Sequence, residues 1–136
     1  MALHVEVVSP ERILWSGEAG MVTARTVGGG DISFLTGHAP FVGALDVGRV
    51  VVRPTEGPIE VIAVHGGFVE VNHDRVTLLS DVAELASQID VERARRAQER
   101  AEAALREGHH HEAEAALRRA HVRLDVAGGL PAGAGH

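Results

Sequence analysis

Hydrophobic residues alternate with polar residues along most of the first 86 positions. Leu3, Val5 and Val7 are separated by His4 and Glu6. A period of two is typical of β-strands that bury one face. It recurs in five further segments, at residues 22–26, 50–52, 59–64, 68–71 and 76–79. We therefore expect half-buried strands throughout this part of the chain.

Turn-forming residues separate these segments at intervals of about 8 to 12 residues, a spacing found in β-sandwiches and barrels. They lie at residues 9–10 (Ser-Pro), 28–30 (Gly-Gly-Gly), 54–58 and 72–74. An all-parallel sheet is excluded because no crossover helix fits between the strands. The pattern predicts an antiparallel β-sandwich or flattened barrel of eight to ten strands over residues 1–86.

Residues 30–48 contain short apolar bursts that are broken by glycine and proline. The bursts at 32–35 and 41–45 flank residues 36–40, which read TGHAP. Glycine tolerates positive φ and proline fixes φ, so this segment predicts a turn of defined shape between two strands. The pattern alone favours a β-hairpin with a five-residue connection. The alternative is a shaped surface loop that presents His38.

The hydrophobic period changes near residue 88, and from there to residue 127 alanine is frequent and Gly108 is the only glycine. Asp90 is a suitable N-cap for a helix from Val91 to Glu107. Gly108 and the histidines at 109–111 interrupt the helical pattern before a second helix from about 112 to 127. The segment after the strands, 87–127, therefore predicts an antiparallel helical hairpin.

Apolar residues recur three and four positions apart on both predicted helices and form a narrow seam. Burial stabilises by about 25 cal/mol per Å² of apolar surface, and alanine has little surface to bury. We therefore expect the seam to hold the hairpin weakly, so that the hairpin can open. The seam positions are Val91, Ala94, Ala101, Leu105, Ala113, Ala116, Leu117, Ala120 and Leu124.

Nearly all of the large apolar side chains belong to the predicted strands. They include Trp15, Phe34, Phe41 and Phe68. We expect these side chains in the core of the β-domain, so residues 1–86 should fold without the helices. Residues 128–136 have no periodicity and are predicted to be a disordered tail.

The composition bounds the class of function. The chain has 136 residues, no cysteine, 13 basic and 19 acidic residues, and a formal net charge of −6. Without cysteine there is neither a disulfide framework nor a thiolate metal site, and the negative charge argues against a nucleic-acid partner. No stretch approaches the roughly 20 apolar residues of a membrane span, and no signal segment is visible. We expect a soluble protein that stays in the compartment in which it is made.

Catalytic and metal-binding motifs are weak. The glycines at 28–30 lack the lysine and hydroxyl residue of a phosphate loop and predict a hairpin turn. His109, His110 and His111 are consecutive residues whose side chains splay apart, so we expect a solvated loop rather than a metal site. Asp74 and Asp81 lie near strand ends, where turn chemistry explains them. We expect no catalytic residues and no metal ligands.

The helical arginines form the more informative cluster. Arg119 and Arg123 are four residues apart on one helix face. In a closed antiparallel hairpin this face lies beside Asp90, Arg93 and the upstream Glu84. Guanidinium groups that converge in this way suit phosphate oxygens. The alternative is a set of ordinary surface salt bridges that steady the hairpin.

Several motifs follow one another in a defined order. They are VEVVSPE from Val5, GDISFLTGHAP from Gly30, VHGGFVEV from Val64 and RVTLLSD from Arg75, before the alanine-rich helices. In this order they resemble the epsilon subunit of bacterial F-type ATP synthases, and the resemblance covers residues 3 to about 127. The GHAP turn and the GGFVEV strand are its most specific parts. Thr36, Ser33 and His65 stand where the family pattern has proline, glycine and serine.

The resemblance implies a non-catalytic subunit of the central stalk, or rotor, of a proton-translocating ATP synthase. In that family a ten-stranded sandwich docks on the gamma subunit and on the membrane rotor ring. The helical hairpin either lies folded on the sandwich or extends towards the catalytic alpha and beta subunits and blocks ATP hydrolysis, a two-state use that a weak seam permits. The implied location is the cytoplasmic face of the bacterial plasma membrane, with membrane contact only through the complex.

The resemblance also implies roles for individual residues. Asp31 stands at the acidic position of the loop that faces the rotor ring. His38 is expected at the same end of the sandwich, near gamma and the ring. Ser9 and Pro10 fall in a turn that the family places near gamma. These four residues are the expected partner contacts.

The resemblance implies no required cofactor, and ATP as a regulatory ligand. Some family members bind ATP between the helices through an I-D-x-x-R-A motif, which residues 89–94 match fully as IDVERA. Together with the arginine cluster, this match gives a predicted ATP site. Its residues are Glu84, Ile89, Asp90, Arg93, Arg119 and Arg123.

Two other classes of function stay open at this point. One is a free-standing nucleotide-sensing adaptor with the same architecture but no rotor partner. The other is a small hydrolase that uses the histidines at 109–111, which would have to show turnover by the isolated chain. A rotor subunit predicts no turnover alone and co-purification with gamma.

Overall fold

The computed structural model describes residues 2–128 as a β-structured body followed by two helices. The strands are β1 (Leu3–Val8), β2 (Ile13–Thr26), β3 (Gly30–Leu35), β4 (Phe41–Pro54), β5 (Glu60–Asn72), β6 (Arg75–Leu79) and β7 (Ala83–Leu85). A 3₁₀ turn (Ala86–Gln88) leads into α1 (Val91–Arg106) and α2 (His110–Ala127). The predicted order, a β-sandwich or barrel before a pair of helices, is confirmed.

Five strands close into a ring in the order β1, β6, β5, β4 and β2, with β2 pairing back onto β1. Neighbouring strands of an all-antiparallel ring must alternate in direction, and an odd number of strands cannot do so. One pair must therefore be parallel. That pair is β1 with β6, in which Val5 lies opposite Val76. The expectation of a wholly antiparallel sandwich is wrong at this pair.

Residues 2–128 form seven strands rather than the ten that the resemblance implied, because long strands change partners along their length. In β5, residues 62–64 pair with β7 and residues 68–72 pair with β6. The change occurs at Gly66 and Gly67, whose φ angles are 90° and 128°. A β-carbon at Gly67 would collide with the carbonyl oxygen of Leu79. Glycine is therefore required where this strand changes partners.

The connection over residues 36–40 does not close a β-hairpin. β3 and β4 both pair with β2 and do not pair with each other. The favoured interpretation of this segment, a β-hairpin, is therefore wrong. The five-residue connection leads from β3 on one edge of β2 to β4 on the other edge. The glycines at 28–30 do form the predicted hairpin turn, between β2 and β3.

The core of the body is aliphatic apart from one aromatic side chain, Phe34, which is fully buried. Trp15 and Phe41 are partly buried and pack against this core. Phe68 is 61% exposed, so its predicted core position is wrong. Side chains alternate along β5, and the inward positions after the bend are occupied by Val69 and Val71.

A side-chain cap fixes the start of α1, whereas the N-cap residue of α2, His109, makes no side-chain capping bond. The carboxylate of Asp90 accepts a hydrogen bond from the amide of Arg93 at 3.1 Å, which confirms the predicted N-cap of α1. α2 begins at His110, two residues earlier than expected, so the histidine run starts a helix instead of filling a loop. Gly128, which was predicted to begin the tail, is the C-cap of α2. The rest of the predicted tail, residues 129–136, lies outside the described residues.

The helices pack on each other and on the body. Ala94 and Ala101 of α1 are buried, as are Ala113 and Ala120 of α2, so a seam of small side chains is present. A second apolar cluster fixes α2 to the body. It joins Val122 and Val126 with Val61 and Ala63 of β5.

Candidate ligand-binding and docking sites

A cleft of about 320 Å³ lies where the end of α2 meets the start of α1, and we call it the helix-start cleft. Its volume falls in the range of about 300–1,000 Å³ that small-molecule sites occupy. It contains three guanidinium groups and two carboxylates. The lining residues are Glu84, Gln88, Asp90, Arg93, Ala94, Ala97, Arg100 and Arg123.

Glu84 is the centre of the contacts between the body and α2. Its Oε1 accepts a hydrogen bond from Nε of Arg123 at 2.7 Å and another from Nε2 of His65 at 3.2 Å. The three side chains come from β7, α2 and β5. Both members of the Glu84–Arg123 pair are less than one-third exposed, so water screens the contact only partly.

His65 is the most buried member of this group, with a side chain that is 5% exposed. Burial lowers its pKa, and the charge of Arg123 lowers it further, while the hydrogen bond to Glu84 acts in the opposite sense. The imidazole is therefore neutral at neutral pH, with Nε2 as the donor to Glu84. Its Nδ1 atom is buried and has no hydrogen-bond partner among residues 2–128.

Arg93 and Arg100 are the guanidinium groups of the cleft that have no ion-pair partner within the described chain. Arg100 was not identified from the sequence. It lies seven residues after Arg93, which is two helical turns, and Ala97 lies between them on the same face. That spacing was the feature of the sequence that could have identified Arg100. Together these two arginines make one wall of the cleft cationic.

The six predicted ATP residues do not all converge. Four of them line the helix-start cleft, namely Glu84, Asp90, Arg93 and Arg123. Ile89 instead packs against the second apolar cluster, beneath α2. Arg119 is exposed and does not line the cleft, because it lies one helical turn before Arg123.

A second cleft of about 360 Å³ separates α2 from β4 and the start of β3. It is lined by three arginines and two aspartates, namely Arg25, Arg49, Arg118, Asp31 and Asp125. Arg49 of β4 pairs with Asp125 of α2 at 3.5 Å, and Arg25 pairs with Asp31 at 3.2 Å. These pairs engage both carboxylates and leave Arg118 as the one guanidinium group of this cleft without an ion pair among the described residues. The Arg49–Asp125 pair makes the cleft a contact between α2 and the body.

The predicted partner contacts are spread over the body. Asp31 and His38 lie at opposite ends of β3, and so the expectation that they share one end is wrong. His38 packs edge-on against Phe34, with ring centroids 5.0 Å apart. Ser9 and Pro10 form the exposed turn after β1, where Ser9 bonds to the backbone of Arg12.

A row of apolar side chains crosses the outer face of the body, and we call it the apolar row. Phe68 lies opposite both Leu79 and Ala44, and Val8 lies opposite both Leu79 and Ile13. Phe68, Ile13 and Leu79 are 61%, 57% and 46% exposed. The row spans five neighbouring strands at about 4.8 Å each. A contiguous exposed apolar surface of this kind marks an interaction site.

The histidines at 109–111 are exposed, and their side chains make no hydrogen bond or ion pair with any described residue. No group of three or more residues able to hold a metal ion occurs within residues 2–128. Neither α1 nor α2 is long and apolar enough to cross a membrane.

The fold is that of a two-part protein, a β-structured body with an exposed apolar row and a helix pair over an arginine-lined cleft, and it offers one candidate docking surface and one candidate ligand-binding cleft. Two family models match the chain. The model of the ATP synthase delta/epsilon chain β-sandwich domain matches residues 2–86, and that of the delta/epsilon long α-helix domain matches residues 87–128. The chain therefore belongs to the ATP synthase delta/epsilon chain family, which confirms the family predicted from the sequence.

Relatives cover nearly the whole chain. The ATP synthase epsilon chain of Streptomyces griseus is 49% identical over 123 residues, which are 90% of this chain and 92% of the relative. The ATP synthase epsilon chain of Halalkalibacterium halodurans is 48% identical over 132 residues, which are 93% of this chain and 97% of the relative. A chain in the cryo-EM structure of the Euglena gracilis mitochondrial ATP synthase OSCP/F1/c-ring assembly has the same fold. Its TM-score is 0.80 at 24% identity, over 93% of this chain and 81% of that one.

Proposed function

We propose that this chain is a non-catalytic subunit of the central stalk of an F-type ATP synthase. It links the catalytic sector to the rotor ring and restrains ATP hydrolysis through its helix pair. The observation that carries the proposal is the apolar row on a body whose core is already complete. Since the chain buries its core without those side chains, their exposure is best explained by a partner.

The partner that we assign to the apolar row is the gamma subunit of the same complex. Family membership supports this choice, and so does position, because the Ser9–Pro10 turn directly follows the strand that carries Val8. Asp31 and His38, at other places on the surface, are the proposed contacts with the rotor ring and its surroundings. In this arrangement the chain is peripheral to the cytoplasmic face of the membrane and touches it only through the complex.

Binding to gamma can be tested with full-length chain and purified gamma subunit. The double substitution Phe68→Ser and Leu79→Ser should weaken binding at least tenfold while the circular dichroism spectrum stays unchanged, because both side chains are exposed. Ile59→Ser is the matched control, since Ile59 is 38% exposed and lies outside the row. Equal binding by the double variant and the control would show that the row is not the gamma surface.

The helix pair is proposed to work as an antiparallel hairpin with a docked and an extended state. The docked state is held by an alanine seam between the helices, by the second apolar cluster, and by the Arg123–Glu84 and Arg49–Asp125 pairs. In the extended state α2 leaves the body and the helices reach the catalytic alpha and beta subunits. A two-state element of this kind responds to any ligand that binds one state better than the other.

ATP is the proposed ligand of the docked state, at the helix-start cleft. The guanidinium groups of Arg93 and Arg100 are available for the phosphates, whereas Arg123 is already engaged by Glu84. Asp90 is occupied as the N-cap, so we assign it to shaping the cleft. A ligand at 100 times its dissociation constant adds about 2.7 kcal/mol to the state that it binds. That amount is sufficient to hold an alanine seam closed.

Isothermal titration of ATP into the isolated chain tests the site. Arg93→Ala and Arg100→Ala should each weaken binding several-fold. Arg95→Ala is the control on the same helix, because Arg95 is exposed and pairs with Glu92 away from the cleft. Arg119→Ala should have a smaller effect than Arg123→Ala. No binding at millimolar ATP, or equal loss in the Arg95 control, would overturn the site.

The gamma-binding and ATP-titration experiments also distinguish the remaining candidate functions. Nucleotide binding without any affinity for gamma would favour a free-standing nucleotide-sensing adaptor. ATP turnover by the isolated chain, abolished by replacing the histidines at 109–111, would favour a small hydrolase. A stalk subunit gives gamma binding without turnover.

A further inference from the structure

We propose that His65 is a proton-sensitive contact that releases α2 from the body when it is protonated. The residue lies on β5, beneath the point where α2 docks, and it shares Glu84 with Arg123. The proposal rests on the docked and extended states proposed above, but it concerns the helix pair without nucleotide and does not depend on the ATP site.

Protonation of His65 has no compensating hydrogen bond in the docked state. The neutral ring already uses Nε2–H as a donor to Glu84 at 3.2 Å. A second proton must go to Nδ1, and that buried atom has no acceptor among the described residues. A buried donor without an acceptor is costly, whereas the same N–H in an open hairpin can bond to water.

The charges that face His65 also oppose its protonation in the docked state. Among residues 2–128, Glu84 of β7 is the carboxylate that acts on the ring, and Arg123 and Arg119 of α2 add two positive charges. Arg123 holds the same Glu84 oxygen at 2.7 Å. A protonated His65 would therefore share one carboxylate with a guanidinium group in a site that is largely closed to water.

Undocking removes this conflict. When α2 leaves, Arg123 and Arg119 depart, the ring becomes accessible to water and Glu84 is left to His65. The pKa of His65, which burial and Arg123 hold below its usual range in the docked state, then rises. The undocked state therefore binds the proton more tightly. As the pH falls below about 6.5, the docked-to-undocked ratio falls by up to about tenfold per pH unit, until the docked-state pKa is reached.

The test is a pH titration of helix docking in the full-length chain without nucleotide. Because the chain has no cysteine, fluorophores can be placed at Glu56→Cys in the β4–β5 turn and at Glu107→Cys at the tip of the helix pair. Between about pH 8 and pH 5.5, energy transfer between the two labels should change with a one-proton profile. Circular dichroism over the same range should show that helix content is retained.

Variants decide whether His65 is the sensor. His65→Gln keeps an N–H donor for Glu84 but does not titrate, and His65→Ser provides a second, smaller replacement; both should make docking independent of pH. His109→Gln is the control, because His109 is exposed and its side chain has no described contact. A direct measurement is the nuclear magnetic resonance titration of the His65 ring. Docking that does not respond to pH in the original chain, or an unchanged response in both His65 variants, would overturn the proposal.

Discussion

Arg123 near the end of α2 donates a hydrogen bond from Nε to Oε1 of Glu84 in β7 at 2.7 Å. This contact ties the helix pair to the body at the place where the helix-start cleft opens. The two side chains are 29% and 28% exposed. Partial burial reduces screening by water, so this pair should contribute more than an exposed ion pair does.

A double-mutant cycle on Arg123 and Glu84 should therefore give a coupling free energy of about 1–2 kcal/mol for helix docking. Hydrogen exchange of the α2 amides measures docking. The matched cycle uses Arg95 and Glu92 of α1, which are 61% and 71% exposed and 3.1 Å apart. That cycle should give no more than about 0.5 kcal/mol. Equal couplings would show that Arg123 does not hold the helix pair.

Val126 connects α2 to the body through the second apolar cluster, where it is fully buried against β5 residues. Val126→Ala should weaken docking by about 1–2 kcal/mol, because it removes buried methyl groups and leaves a cavity. The loss should appear as faster proteolysis of the helix pair while the body remains intact. Val82→Ala is the control, since Val82 is 45% exposed. A body that unfolds together with the helices would contradict a separable helix pair.

The fragment 1–86 should fold on its own. Every residue of the main core cluster belongs to it, from Leu3 to Leu85. Removal of the helices exposes Val61 and Ala63, so the free energy of unfolding should fall by about 1–2 kcal/mol at most. Urea denaturation followed by circular dichroism measures this change. A fragment without a cooperative transition would show that the helices are part of the folding unit.

Gly67 allows β5 to pass from β7 to β6 with φ at 128°. Gly67→Ala should lower the free energy of unfolding by about 2–4 kcal/mol, because the new β-carbon is strained at this φ and meets the carbonyl oxygen of Leu79. Gly20→Ala is the matched control, because a β-carbon at Gly20 meets nothing within 4 Å. Chemical denaturation of both variants checks the difference.

Local chemistry was sufficient to predict much of the fold. The change of hydrophobic period near residue 88 determined where strands give way to helices, and Asp90 determined where α1 begins. The glycines at 28–30 determined the turn between β2 and β3. In each case the cause lies within a few residues, such as a side-chain cap or a backbone that accepts positive φ.

The candidate ATP cleft was only partly predictable. Asp90 and Arg93 of the IDVERA motif both line the cleft, because they lie at the start of one helix. Which side chain of α2 reaches them depends on the rotation of α2 about its own axis, which packing of Val122 and Val126 on the body fixes. That packing turns the face that carries Arg123 towards the cleft, and Arg119, on the same face but one helical turn earlier, lies outside it.

The sequence by itself determined the two-part organisation, the family and the residue types that are available for binding. Tertiary structure alone decided the parallel pairing of β1 with β6, which follows from closing a ring of five strands. It also decided that Phe68 faces outward and that His65 is buried against Glu84. These features depend on which distant strands and helices become neighbours, and the pattern of residues along one strand does not contain that information.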